Sequence, residues 1–227
     1  MKNEKYQGDY TFETLGEIDM ITYSNFKDIR YRYIRNDKSK VVIFQNLIVD
    51  GNFSLDWHED FFAFIEDERV SVVIVRGTLE VRGNITNYGH GGLALMVMGS
   101  TKASNLISTG TLMNFQDVEI ENIMLAAYEE GFVQMKSLKT KLLINDNHTI
   151  LLNNYNEVLY SIDKNTLEYE EEQELAKFFF ENKVLSKFVY VEEEDNEYFL
   201  DFNSMLNCEF FNGEEKKVLE EIAFYLK

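Results

Sequence analysis

One short pattern recurs along this chain and restricts its fold more than any other feature of the sequence. Five segments align without gaps: GNFSLD from Gly51, GTLEVRG from Gly77, GSTKASN from Gly99, QDVEIEN from Gln116 and KSLKTKL from Lys136. The shared template is a turn residue, a small polar residue, an apolar residue or Thr, a polar residue, then Leu, Val, Ala, Ile or Thr. The fifth-position residues Leu55, Val81, Ala103, Ile120 and Thr140 lie 26, 22, 17 and 20 residues apart. Self-similarity at a spacing of about 20 residues is the signature of a solenoid. Within each segment the side chains alternate, which makes it a short strand with one face inward. Leu79 and Val81 oppose Glu80 and Arg82. Thr101 and Ala103 oppose Lys102 and Ser104, Val118 and Ile120 oppose Glu119 and Glu121, and Leu138 and Thr140 oppose Lys139 and Lys141.

Other β-prone runs flank these segments. SVVIVR, LALMVM, TLMNF and GFVQM precede four of them, and NLIS, NIMLAA and LLIN follow three. Strand, bend, strand, bend, strand and return is one coil of a single-stranded parallel β-helix. A lone coil cannot bury its inward row. Stacked about 4.8 Å from its neighbour, it satisfies its backbone groups above and below and joins a continuous apolar core. The small inward residues Thr101, Ala103 and Thr140 suit a narrow interior. The competing arrangement is an antiparallel sandwich with strands every 8 to 12 residues or so. Unrelated hairpins need not repeat one phase, so the gapless template favours the β-helix. The expectation is a mainly β chain, with five to six coils over residues 41–160 forming a rod of about 25 Å at that rise.

The flanks differ in character. Residues 1–40 are polar and aromatic, with a crude alternation in FKDIRYRYIR (Phe26–Arg35), and read as an N-terminal cap that covers an otherwise aggregation-prone open end. Residues 161–227 read as an acidic α+β C-terminal cap. YEEEQELAKFFFENKVL (Tyr169–Leu185) has helical spacing, acids in its first turns and Lys177, Lys183 and Lys187 late, as the helix dipole prefers. GEEKKVLEEIAFYLK from Gly213 places Val218, Leu219, Ile222 and Leu226 on one helical face, and FVYVEEEDNEYFLDF between the two reads as a hairpin turning at Asp195-Asn196.

Charge narrows the choice of partners. The formal net charge is −18, from 40 acidic and 22 basic side chains. Residues 161–227 hold 18 acids and 7 bases, so −11 of that total lies in the tail. The sign is wrong for nucleic acid and for anionic membranes, and right for a basic protein. Cys208 is the single cysteine, so no intrachain disulfide forms, and the expectation is a small buried thiol in a reducing cytoplasm. The N-terminus MKNEKYQGDYTFE has no apolar signal core, and no apolar run reaches membrane-spanning length. The chain reads as soluble and cytoplasmic.

Residues 41–150 resemble bacterial single-stranded β-helix proteins related to the bactofilins, the polymer-forming cytoskeletal β-helices. The resemblance is carried by VDGNFSLD (Val49–Asp56), VIVRGTLEVRGNI (Val73–Ile85), the Tyr88-Gly89-His90-Gly91 turn leading to Gly99, and the closing Leu143-Ile144-Asn145-Asp146-Asn147-His148. Some such proteins occur near secreted polymorphic toxins, so the resemblance implies an immunity role. The acidic helical tail is not a bactofilin feature.

Motifs for chemistry are sparse. His58, His90 and His148 are far apart, with no CxxC and no HExxH, so no metal site is expected. No GxSxG, GxxxxGK or strand-borne GxGxxG is present, and no cofactor is expected. The acids Asp56, Glu59, Asp60, Glu66, Asp67 and Glu68 make paired-carboxylate chemistry on a carbohydrate one alternative. Trp57, Phe61, Phe62 and Phe64 beside those acids have the composition of a protein-binding hot spot, or of side chains covering the β-helix flank. The leading expectation is a non-catalytic binding protein, an immunity protein that neutralises a basic toxin domain. Its candidate contact residues are Trp57, Phe61, Phe62 and Phe64 with the acids Glu170, Glu171, Glu172, Glu192, Glu193 and Glu194. The alternatives are a bactofilin-like scaffold that self-associates through its ends and a carbohydrate-active enzyme.

Overall fold

The computed structural model describes residues 5–14, 40–55, 60–66, 70–87, 93–127, 132–187, 189–194, 197–202 and 214–226. Each coil of the chain contributes one strand to each of three parallel ladders. The first rung is β3 (Lys40–Phe44), β4 (Leu47–Val49) and β5 (Phe53–Ser54); the second is β6 (Val70–Val75), β7 (Leu79–Val81) and β8 (Asn84–Asn87). The third is β9 (Ala94–Val97), β10 (Thr101–Ala103) and β11 (Asn105–Ser108). The bend between the first two faces then straightens. β12 (Leu112–Ile120) spans two faces before β13 (Ile123–Ala127), while β14 (Phe132–Asp146) and β15 (Thr149–Asp163) each run through all three.

This is the expected parallel β-helix, in which about four turns are stacked on both sides, against the five to six coils expected. The rungs from β6 to β14 have parallel neighbours on both sides, whereas the layers at either end are paired in parallel on one side only.

The template holds from Gly77 onward: Leu79 pairs with Thr101, Ala103 with Ile120, and Val118 with Leu138. Its first segment is displaced by one face. Leu47 and Val49 pair with Leu79 and Val81, while Phe53 of GNFS lies beside Ile85 of GNIT. The Gly-Asn dipeptide before both strands is the cause of the slip. It belongs to the bend into the third face, where Asn52 Oδ1 accepts from the Asn84 amide at 3.0 Å.

The three faces differ outside. On the first, both sides are buried: Val42, Phe44, Val73, Val75, Leu95 and Val97 face the interior cluster, and Val41, Ile43, Val72, Ile74 and Met96 form a second buried row. That explains the unbroken apolar runs, since strands covered on both sides lose the alternation. The second face keeps a solvated exterior. Glu80, Lys102, Glu119, Lys139 and Glu157 stack on successive rungs in strictly alternating charge. The third face carries Ile107, Ile123, Leu125, Ala127, Leu142, Ile144 and Ile162 outward, packed beneath the C-terminal unit. That unit therefore sits on the flank of the solenoid.

At the N-terminal end, β1 (Tyr6–Gln7) and β2 (Tyr10–Thr14) pair antiparallel with β4 and β3. The short helix α1 (Asp60–Ile65) interrupts the passage from first to second rung. Its Phe61 packs on Tyr6, Phe44 and Phe53 at ring separations of 5.5, 6.1 and 5.0 Å, an aromatic plug across that end. The FKDIRYRYIR segment, His58, His90, Cys208 and the Asp195-Asn196 turn lie outside the described residues.

Gly77 and Gly99 stack at the bend between first and second faces. A Cβ on Gly99 would meet the Gly77 backbone, with the Gly77 carbonyl carbon only 2.6 Å away. Backbone in the middle of a ladder cannot withdraw, so Gly99→Ala is expected to destabilise the fold by about 1–3 kcal/mol. Ser100→Ala, one residue on and exposed, should change it by less than about 0.5 kcal/mol. Urea unfolding of the two variants checks this, and equal midpoints would refute the stacked corner.

Candidate functional site

The C-terminal unit comprises α2 (Tyr169–Glu181), the hairpin β16 (Tyr190–Glu194) and β17 (Glu197–Asp201), and α3 (Glu215–Tyr225). α2 starts where Glu168 and Glu171 form a reciprocal capping box, and it stops at Asn182, whose Oδ1 accepts from the amides of Val184 and Leu185. The helix is thus shorter than Tyr169–Leu185, and Lys183 and Lys187 fall beyond it. Leu175, Ala176 and Phe179 are buried against the third face with Val218 and Ile222 of α3; Leu226 is exposed.

Two contacts fix the hairpin to this frame. Gln173 on α2 pairs with both backbone groups of Tyr198, donating to its carbonyl at 3.0 Å and accepting from its amide at 2.7 Å. Below it, a buried ion pair ties the end of β17 to the solenoid. Lys164 Nζ lies 3.2 Å from Asp146 Oδ1 and donates to the Leu200 carbonyl at 2.7 Å, while Asp146 Oδ2 accepts from the Phe202 amide at 3.2 Å. Glu172 reaches the same ammonium at 3.4 Å. Burial pushes the Asp146 carboxyl above its ordinary value, against the opposing pull of Lys164.

The pairing of the hairpin sorts its side chains. Val191 opposite Leu200 and Glu193 opposite Tyr198 share one face, with Leu200 buried. The other face carries Tyr190 opposite Asp201, Glu192 opposite Phe199, and Glu194 opposite Glu197. Tyr190 is 51% exposed and Phe199 47%, so two aromatic rings stand in water among four carboxylates. The Tyr190 hydroxyl bonds to Glu192, and Tyr169 at the start of α2 bonds to Glu197. Each carboxylate raises the pKa of its phenol by accepting that hydrogen bond. Among the described residues, Glu192, Glu193, Glu194 and Glu197 have no Lys or Arg at ion-pair distance, whereas on α2 Lys177 pairs with Glu181 and on α3 Lys216 with Glu220.

The sequence-expected residues therefore divide. Glu192 and Glu194 lie on the exposed hairpin face with Tyr190 and Phe199, which the sequence reading left out. Their signal was present, because alternation in YVEEE and EYFLD puts one aromatic of each strand on the acidic side. Glu170 is exposed, Glu171 serves the capping box, and Glu172 serves the Lys164 contact. Phe61 and Phe62 are buried and Phe64 half-buried in the N-terminal plug, where they pack against the solenoid core. Trp57 lies outside the described residues, as do Asp56, Glu59, Asp67 and Glu68. Buried His148 closes a turn in which its amide donates to Asn145 Oδ1 at 3.1 Å. No group of three metal-ligating side chains occurs among the described residues, and no helix among them is long and apolar enough to cross a membrane.

Fold and surface together define a parallel β-solenoid carrying a flank-mounted α+β unit with an acidic, aromatic outer face. Comparison with protein-family models, curated proteins and solved structures finds no match to this chain.

Removing Lys164 strands a buried carboxylate, so Lys164→Met is expected to cost about 3–5 kcal/mol at neutral pH. Asp146 has a raised folded-state pKa, so its contribution to stability is fully present below the ordinary value and is lost as pH rises through the raised one. Without the ammonium that pKa rises further, and lowering the pH from about 7 to about 5 should restore more stability to the variant than to the parent. Urea titrations at both pH values test it, and a pH-independent deficit would refute it. The aromatic assignment separates as cleanly: Phe61→Ala should cost about 3–5 kcal/mol. Tyr190→Ser and Phe199→Ser should stay within about 0.5 kcal/mol of the parent. A large loss in either hairpin variant would reclassify those rings as structural.

Proposed function

We propose that this chain is a non-catalytic binding protein whose exposed hairpin face engages a basic partner protein, in the manner of an immunity protein that blocks a toxin. One observation carries the reading: Tyr190 and Phe199 stand exposed among Glu192, Glu194, Glu197 and Asp201 on a face held rigid from behind. Aromatic anchors give contact area at low entropic cost, and surrounding charge steers a complementary surface toward them. Leaving Glu192, Glu194 and Glu197 together costs the free protein mutual repulsion, and a cationic partner relieves it.

A bactofilin-like scaffold has a separate observation in its favour, the last rung, which has a single strand neighbour among the described residues. The plugged first end and the flank-mounted acidic unit weigh against simple end-to-end stacking.

The test is association kinetics with the basic domain of a candidate toxin. Glu192→Lys with Glu194→Lys should slow association strongly at low salt and weakly at high salt. Phe199→Ala should leave the association rate intact and speed dissociation about 30-fold, as an anchor worth about 2 kcal/mol does. Rates indifferent to both salt and these substitutions would overturn the proposal.

A further inference from the structure

The charge ladder on the second face stops half-finished. Lys102 lies 3.5 Å from Glu119, Glu119 lies 3.7 Å from Lys139, and Lys139 lies 3.4 Å from Glu157. Each cation thus reaches the acid of an adjacent rung. Glu157 is on β15, the final rung, where Lys139 approaches from one side and among the described residues no strand follows on the other. The interior row ends the same way. Ile150, Leu152 and Val158 continue the columns of Val133, Met135 and Thr140 but are only half-buried, while the outward-facing Leu151 and Leu159 are 51% and 65% exposed.

β15 also lacks the usual defences of an edge. Over Thr149–Asp163 it has no Lys, Arg or Pro, and its one irregularity is a single extra residue opposite Ser137–Lys139. We infer that β15 is a strand-addition site for an extended basic segment of another protein, which lays apolar side chains over Ile150, Leu152 and Val158 and sets a Lys or Arg beside Glu157.

The charges select that occupant over a second copy of this chain. β15 has Glu157 and Asp163 and no cationic residue, so two such edges brought together would place acid near acid and leave the ladder unfinished. The opposite end of a second copy is occupied by β1, β2 and the aromatic plug. The inference stands apart from the hairpin face, which lies on the unit covering the third face.

The experiment uses the full chain and two synthetic peptides of alternating Val and Thr, one with a single central Lys and the other with Glu in its place. Fluorescence polarisation should show the Lys peptide binding about tenfold more tightly, with the preference reversed by the exposed substitution Glu157→Lys. Hydrogen exchange should show the Lys peptide protecting β15 amides and leaving those of β16 and β17 unchanged. Equal binding of the two peptides, protection elsewhere than β15, or sedimentation showing that the chain alone dimerises with its β15 amides protected would each overturn the inference. The last of these would assign the edge to a second copy.

Discussion

A single coil of this chain has no way to keep its inward side chains dry or to satisfy its own backbone, and everything else in the molecule follows from that. Leu79 and Val81 make an interior only because Leu47 and Val49 lie on one side and Thr101 and Ala103 on the other. Rungs must therefore stack at strand spacing with their bends aligned, which leaves no room for a side chain where two bends meet. Gly77 and Gly99 occupy that place. Where glycine gives way, the chain straightens: β12, β14 and β15 pass the same corner as continuous strands, with Asn114 bonding to the Gly99 carbonyl and to Thr101 Oγ1 at 3.2 and 2.7 Å.

Stacking makes the two ends and the three outer faces into separate problems, each with its own solution. One end is closed by antiparallel strands and a plug of aromatic rings. The first face is buried on both sides over its first three rungs. The second is left to water, with alternating charge to hold its register, and the third is roofed by the acidic unit. These solutions explain how readily each part could be read. The second face showed itself through Glu80, Lys102, Glu119 and Lys139, because a solvated exterior preserves alternation. The other two lost it, because apolar residues point both ways. The same ambiguity moved Gly51-Asn52 onto the wrong bend: a Gly-Asn before an alternating strand looks alike at any corner.

The acidic unit shows how the fold separates two uses of one residue type. Glu171 caps a helix, Glu172 neutralises a buried ammonium, and Asp146 holds a strand end from below. These acids hold the unit in place. Glu192, Glu194 and Glu197 meet no Lys or Arg among the described residues, and the hairpin keeps them beside Tyr190 and Phe199 facing outward. A run such as EEE reads the same in both places. What differs is whether a cation or a backbone amide from a distant segment arrives next to it.

The sequence by itself determined the coil: its period, its inward row and its parallel stacking, because these repeat locally and every rung restates them. It also determined the excess of negative charge in the tail. Only the tertiary structure decided that Phe61 is core, that the helical unit mounts on the flank, and that the exposed aromatics are Tyr190 and Phe199. Each of those outcomes depends on surfaces far apart in the chain meeting once, such as Asp146 with Lys164 and Phe202, or Phe61 with Tyr6. A contact made once leaves no periodic trace among the residues that make it.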